Sequence, residues 1–229
     1  MKSILKSWQY KNLQSYNGYK PFNGDHEYPF IMLDKHSMKG PRNDITPGIG
    51  AMIRSAKSEI IIQNPYIVLT DEAMSALREA NARGVKINIH TNSPMSTDST
   101  ATQVFFSDEW AKIMKELPNL RLFVCPGPQP LHSKVFVFDR EVAVIGSYNM
   151  DPLSEQINSE IVSVIKAKNF ALRLALRIFE AEKKSIEYKI EVMKNGEIKV
   201  INGPVNHSDP EKLEKLRKLK KLGFLRPLI

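Results

Sequence analysis

Apolar positions along this chain come in short continuous runs and in stripes of helical period, and the two kinds alternate. Pro29 to Asp34 (PFIMLD) reads as a short strand, followed by a polar loop rich in Gly, Pro and Asn through Thr46. Pro47 then sits where proline is tolerated, in the first turn of a helix expected to run to about Ser58. EIIIQNPYIV follows as a strand whose Ile60, Ile61 and Ile62 are continuous, the pattern of a sheet covered on both faces. Thr70 and Asp71 open a helix with Met74, Leu77 and Ala80 on one stripe and Gly84 as its stop. VKINIH is the next strand, a helix is expected around Trp110 to Leu117, and LRLFV (Leu120 to Val124) is a further strand. This rhythm predicts an α/β fold: a mixed, largely parallel sheet flanked by helices on both faces.

The segment from Pro126 to Pro130 cannot continue a helix or a strand, so the chain turns there. Next comes LHSKVFVFDREVAVIGSYNMD. In the strand KVFVFD, Val135, Val137 and Asp139 fall on one face and Lys134, Phe136 and Phe138 on the other. His132 lies two residues before Lys134, so an extended backbone aims imidazole and ammonium the same way. Asp139-Arg140-Glu141 predicts a tight turn, and VAVIG returns as the hairpin partner, bringing Gly146, Ser147 and Asn149 back beside the histidine. The strand SEIVSVI can carry Glu160 to the same place. Near the end, YKIEVMKNGEIKVI predicts a hairpin about Asn195-Gly196, and a basic helix follows.

Such a set suits phosphodiester chemistry. A neutral imidazole can attack phosphorus, and an imidazolium can protonate a leaving alkoxide, within the accessible pH range. A lysine places fixed positive charge where phosphoryl oxygens gather negative charge in the transition state. The Ser147 hydroxyl and Asn149 amide can donate further hydrogen bonds, and a carboxylate at Glu160 is expected to grip the second imidazole nitrogen. The scheme calls for no metal and no cofactor.

Composition narrows the partners. The 229 residues suffice for one packed domain with appendages; 42% are hydrophobic and 25% charged, ordinary globular values. The balance of 33 basic against 25 acidic side chains gives +8, which favours polyanions: anionic lipid surfaces, nucleic acid or phosphorylated small molecules. Cys125 is the single cysteine, which excludes an intrachain disulfide and a cysteine-based structural zinc. No apolar run approaches the roughly 18 residues needed to cross a bilayer. The start, MKSILKSWQYKN, reads as a loosely docked arm or as a short surface contact through Ile4, Leu5 and Trp8.

His132-Ser-Lys134, then Asp139, then Gly146-Ser147-Tyr148-Asn149, then Glu160 together resemble the HKD motif of the phospholipase D superfamily, H-x-K-x4-D followed by G-S-x-N and an acidic residue. The flanks QNPYIVLTDEAMSALREANARGVKINIHTNSPMSTD and GSYNMDPLSEQINSEI are similar to the second half of bacterial cardiolipin synthases. One departure is Leu153, which stands where that family usually has arginine. The resemblance implies an arm or interlobe connector over residues 1–28, a phospholipase D-like catalytic half-domain over 29–185, and a C-terminal hairpin and basic amphipathic helix over 186–229. It also implies phosphodiester transfer or hydrolysis on glycerophospholipids through a phosphohistidine, in a protein that is cytoplasmic or peripheral to the inner membrane.

Family members need two such motifs, one histidine attacking and the other protonating the leaving group. The nearest second candidate, His36-Ser-Met-Lys39 with Asp44, has one residue too many and sits in a loop. The second site therefore comes from a second copy about a two-fold axis, or from a partner lobe, which the flanks slightly favour. In a homodimer His132 is nucleophile in one copy and acid in the other; in a second half it is the general acid/base. A metal-independent homodimeric nuclease and an inactive half-domain are the other readings; aromatics at 8% are sparse for nucleic-acid stacking. Tyr66, His90 and Asn92 are candidate substrate contacts, with a core-edge tyrosine and a satisfied strand-end histidine as the structural alternatives. The basic helix carrying Leu213, Leu216 and Leu219 either rests on anionic lipid or docks its leucines on its own domain.

Overall fold

The computed structural model describes residues 28–37 and 42–219. The expected surface contact through Ile4, Leu5 and Trp8 lies outside them, as does most of the N-terminal arm.

The elements run β1 (Phe30–Lys35), α1 (Ile45–Ser55), β2 (Glu59–Gln63), α2 (Asp71–Ala82), β3 (Lys86–Asn92), α3 (Thr100–Glu116), β4 (Leu120–Cys125), β5 (Val135–Phe138), β6 (Val142–Gly146), a π-helical turn (Leu153–Ile157), β7 (Glu160–Lys166), α4 (Lys168–Glu182), β8 (Ile186–Val192), β9 (Ile198–Asn202), α5 (Pro204–His207) and α6 (Pro210–Leu219). Nine strands form one sheet in the order β1-β7-β6-β5-β2-β3-β4-β8-β9. The sheet is mixed and flanked by helices, as the sequence predicts. Its parallel part is smaller than expected: only β2, β3 and β4 run parallel, and every other neighbour is antiparallel. Short links explain the difference. Among sheet neighbours that follow one another in the chain, only β2–β3 and β3–β4 are joined through an α-helix, the crossover that parallel neighbours require, whereas β5 and β6 are joined by a three-residue turn.

The sheet is buried on both faces where the isoleucine run crosses it. Ile60 and Ile62 join the larger core with α1, α2 and α3, while Ile61 points the other way onto Ala171, Ala175 and Ile178 of α4. Full burial of each isoleucine stabilises the fold by ~1.5–3 kcal/mol. The same alternation holds in β5: Phe136 and Phe138 enter the larger core, Val135 and Val137 the smaller. The expected strand through Val68 ends at Gln63, because Asn64 turns aside to bond across the molecule. Its amide donates to the Tyr148 carbonyl (3.2 Å) and accepts from the Met150 backbone (3.3 Å). Thr70 caps α2 as expected, its hydroxyl accepting from the Ala73 N–H at 3.2 Å. Helix α3 starts ten residues earlier than the expected Trp110, with Ser99 as its cap.

The C-terminal hairpin is not a detached appendage: β8 pairs with β4 and extends the sheet. Helix α6 docks Leu216 in the interior beside α3, and leaves Lys215, Arg217 and Lys218 exposed.

Candidate functional site

The loops after β2, β3 and β4 all leave from the carboxyl ends of parallel strands, the usual place for a site in an open α/β sheet. Strand β5 runs antiparallel to β2, with Gln63 opposite Val135, so its entry, His132 to Lys134, arrives at that same end. The hairpin then closes the other side, with the Gly146 N–H donating to the Lys134 carbonyl at 3.2 Å. Position 146 has to be glycine: a Cβ there would lie 2.1 Å from the Ile161 carbonyl oxygen and 2.6 Å from the Val162 Cα.

His132 opens to solvent, its side chain 63% exposed. Its Nδ1 stands 3.7 Å from an Asp98 carboxylate oxygen, and the Tyr66 hydroxyl donates to the other oxygen of Asp98 at 2.7 Å. The Tyr66 ring meets the imidazole edge-on, with centroids 6.3 Å apart. Burial, with the Asp98 hydrogen bond added, holds the Tyr66 phenol well above its usual range, so it remains a donor. The Lys134 ammonium donates to the His132 carbonyl at 3.0 Å. Partial burial pulls its pKa down, and Asp98, Glu160 and Asp151 oppose that pull.

Glu160 does not hold the imidazole. It is buried, and its oxygens accept from Ser147, from Ser154 Oγ (2.8 Å) and from the Asn158 amide (3.4 Å). A carboxylate taken out of water binds the nearest donors, and three lie within its own loop. Asp98 is the acid beside His132 instead. Ser147 is consequently tied to Glu160 and to the β7 backbone, its Oγ accepting from the Ile161 N–H at 3.0 Å. Asn149 keeps a spare group: its Oδ1 is buried without a hydrogen-bond partner among the described residues. Asp151, also buried, is pushed up to about 6 by burial, with Glu160 adding to the rise.

Asp139 is not brought to this site. It stands at the far end of β5, five residues and about 16 Å of strand from Lys134. There its carboxylate accepts from the backbone N–H groups of Lys57 (3.0 Å), Ser58 (2.7 Å) and Glu59 (3.0 Å) and from the Ser58 hydroxyl (2.8 Å). The acid of the motif fastens the start of β2 to the hairpin turn.

Two further candidates lie beneath the site and not in it. Asn92 is almost fully buried; its amide donates to the Leu131 carbonyl (2.9 Å) and accepts from the Leu131 N–H (2.8 Å), clamping the residue before His132. His90 is also buried, bonded at Nδ1 to Gln63 and at Nε2 to Ser185, and burial pushes its pKa down to about 4. Sequence reasoning missed Asp98, Gln63 and Ser154. Position alone signals Asp98, in the loop after a parallel strand; nothing in the local sequence marks the other two.

A mixed sheet carrying an H-x-K entry and a G-S-x-N return at one end defines a phospholipase D-type fold. The family model described as "Cardiolipin synthase, PLD-like domain" matches residues 49–182, and the chain belongs to that family. Over 142 residues it is 33% identical to cardiolipin synthase A of Buchnera aphidicola subsp. Schizaphis graminum, a match covering 59% of this chain and 27% of that protein. The match thus spans about a quarter of that relative's length. Among solved structures, Nuc of Salmonella typhimurium, a phospholipase D family member, superposes with TM-score 0.56 at 20% identity, covering 71% of this chain and 99% of its own. Phosphatidylserine synthase of Haemophilus influenzae superposes with TM-score 0.63 at 13% identity, covering all of this chain and 55% of its own. The same fold thus spans nearly all of one neighbour and about half of the other.

Proposed function

We propose that this chain supplies one half of a phosphodiester-transfer site acting on glycerophospholipids, with His132 and Lys134 as its reacting pair. The observation that carries the reading is the convergence of both residues, with Gly146 beside them, at the carboxyl end of the parallel strands in a cardiolipin synthase-type domain. The family membership supports phospholipid phosphodiester transfer, and the exposure of His132 supports a second half. An imidazole this open to water is poorly placed to retain a reactive intermediate until a facing surface covers it.

In the proposed reaction the neutral imidazole attacks phosphorus through Nε2 while Asp98 favours the proton on Nδ1. A nitrogen–phosphorus bond forms, the bond to the leaving alcohol breaks, and the histidine of the second half protonates the departing alkoxide. Lys134 stabilises the charge that gathers on the phosphoryl oxygens. An incoming hydroxyl, from water or from a second glycerophospholipid, then gives its proton to that second histidine and displaces His132. The second half comes from another copy, or from a partner lobe, in which case the roles exchange: the lobe's histidine attacks phosphorus and His132 is the general acid/base.

Vesicles of phosphatidylglycerol incubated with the protein should yield cardiolipin or phosphatidic acid, with His132→Ala abolishing the product. A preparation shown by light scattering to be dimeric that forms neither product would sink the lipid reading. The charge of +8 favours one alternative, cleavage of nucleic acid. Digestion of single-stranded DNA in EDTA, lost in His132→Ala, would decide for it.

A further inference from the structure

Under the H-x-K entry runs a chain of part-buried hydrogen bonds whose polarity can be worked out donor by donor. The Ser133 hydroxyl donates to Gln63 Oε1 at 2.7 Å. Gln63 Nε2 has only hydrogens to offer, so it donates to His90 Nδ1 at 2.9 Å, and that nitrogen must be bare. The imidazole proton therefore sits on Nε2, which faces Ser185 Oγ at 2.9 Å and the Cys125 thiol at 3.5 Å. Ser185 can accept there because its own proton goes to the Ala181 carbonyl at 2.9 Å. Each donor in the chain meets an acceptor, and donation runs in one direction, from Ser133, between His132 and Lys134, to the Ala181 carbonyl in α4.

We infer that Gln63, oriented by neutral His90, is a positioning residue that fixes the Ser133 side chain and thereby the directions of His132 and Lys134. The inference rests on the reading of those two residues as the reacting pair. Geometry favours it over simple core filling. Ser133 points to the opposite side of the segment from its neighbours, so anchoring it sets the side on which both of them emerge. An amide that could rotate would offer Ser133 its NH2 group half of the time; the bare Nδ1 of His90 prevents that flip. Apart from this chain, the entry segment is held by the Asn92 clamp on Leu131 and by the Gly146 N–H on the Lys134 carbonyl, neither of which touches the Ser133 side chain.

Two measurements test the inference, and the first needs no activity. In Gln63→Leu and Ser133→Ala, hydrogen exchange of the backbone amides over 131–135 should accelerate by about 10-fold or more, with the strands of the core unchanged. Gln63→Glu should instead present an acceptor to Nδ1, so long-range nitrogen NMR should show the His90 proton move to Nδ1 and its titration rise. In the turnover assay the two single variants should lose about 10–100-fold in kcat with KM within about threefold. The double variant should be no worse than either single one. Unchanged exchange at 131–135, an Nδ1–H tautomer in the unmodified protein, or losses that multiply in the double variant would each overturn the positioning role. Altered exchange in a protein that turns over no phosphodiester would overturn the reaction proposed above and leave the positioning role standing.

Discussion

The two ends of β5 carry residues of one motif and are built for opposite purposes. At its entry, His132 is mostly exposed, 3.7 Å from one carboxylate, and among the described residues the Lys134 ammonium bonds to a single backbone carbonyl. At its exit, Asp139 is saturated by three backbone N–H groups and a hydroxyl. Groups that react must retain unspent bonding capacity, and groups that hold a fold must not. The contrast teaches that the H-x-K-x4-D spacing joins the pair proposed to react to a fastener a strand length away, and the strand between them is the rigid element on which the pair is mounted.

The sharpest way to break that contrast is to remove the entry residues. His132→Ala should lower turnover by about 1,000-fold or more, and Lys134→Ala by roughly 100-fold or more, while thermal stability moves by no more than about 0.5 kcal/mol. A large loss of stability in His132→Ala, measured by chemical denaturation, would place that end of the strand among the fasteners too.

The support beneath the entry should show itself through pH. Burial lowers the His90 pKa to about 4 from the ordinary 6.5. Between those values the unfolded chain binds the proton and the folded one does not. Stability should therefore fall as pH drops from 6.5 to 4, by about 3 kcal/mol in all from this residue. Two buried acids act in the other direction. Asp151 is raised from 3.8 to about 6 and Glu182 from 4.5 to about 7, chiefly by burial, so the folded state takes up their protons first and gains stability over most of the same range as pH falls. Comparing His90→Asn with the unmodified protein isolates the histidine. The difference between their stabilities should shrink on acidification, and a constant difference from pH 7 to 4 would show that His90 is not held neutral.

These features were unequally legible in the sequence. The H-x-K and G-S-x-N pairs could be read because a hairpin has local geometry: turn and register together place Gly146 against Lys134. The isoleucine run announced its two-sided burial for the same reason. The acid beside His132 could not be read, since Asp98 approaches from a loop 34 positions earlier in the chain and the nearer carboxylate, Glu160, is consumed by serines folded around it. His90 and Asn92 were candidate substrate contacts, because polar residues at a strand end look alike whether they face a cavity or its floor. The extent of parallel pairing was overread from the alternation of elements. That alternation produces parallel neighbours only between β2 and β4; elsewhere the strands it links are not neighbours, or hairpins join them.

At the exit the expected effect is on stability alone. Asp139→Ala removes the acceptor of three backbone donors at the start of β2, which are exposed or half-buried and can turn to water, and should cost about 1–2 kcal/mol, with activity per folded molecule within about twofold of the parent. The pH signature is also distinct. Partial burial tends to raise the Asp139 pKa, but the bonds from Glu59, Lys57 and Ser58 outweigh it and hold the carboxyl below its usual range. Its contribution is thus complete above about pH 4, the ordinary aspartate value, and is lost as pH falls through the lower folded value. Urea denaturation at pH 6 and pH 2.5 should show a smaller deficit for the variant at the lower pH.

The smallest effect belongs to the turn that follows. Asp139 and Arg140 both adopt left-handed backbone, with φ of 52° and 55°, as a type I′ hairpin turn demands. Arginine is poorly suited to that region, and glycine at position 140 should relieve about 1 kcal/mol. The gain is offset because Arg140 makes a forked contact with Glu59, at 2.6 and 3.2 Å, and lies over the Phe179 ring at 5.4 Å. A partly exposed pair of this kind contributes up to about 1 kcal/mol, so Arg140→Gly should be neutral to within about 0.5 kcal/mol. The two contributions separate in a background where the pair is already gone. In Glu59→Gln, Arg140→Gly should stabilise by nearly the full backbone amount, and turnover should be unaffected in every combination. If the glycine is neutral there as well, the turn carries no strain, and the exit of β5 is held by the Asp139 carboxylate alone.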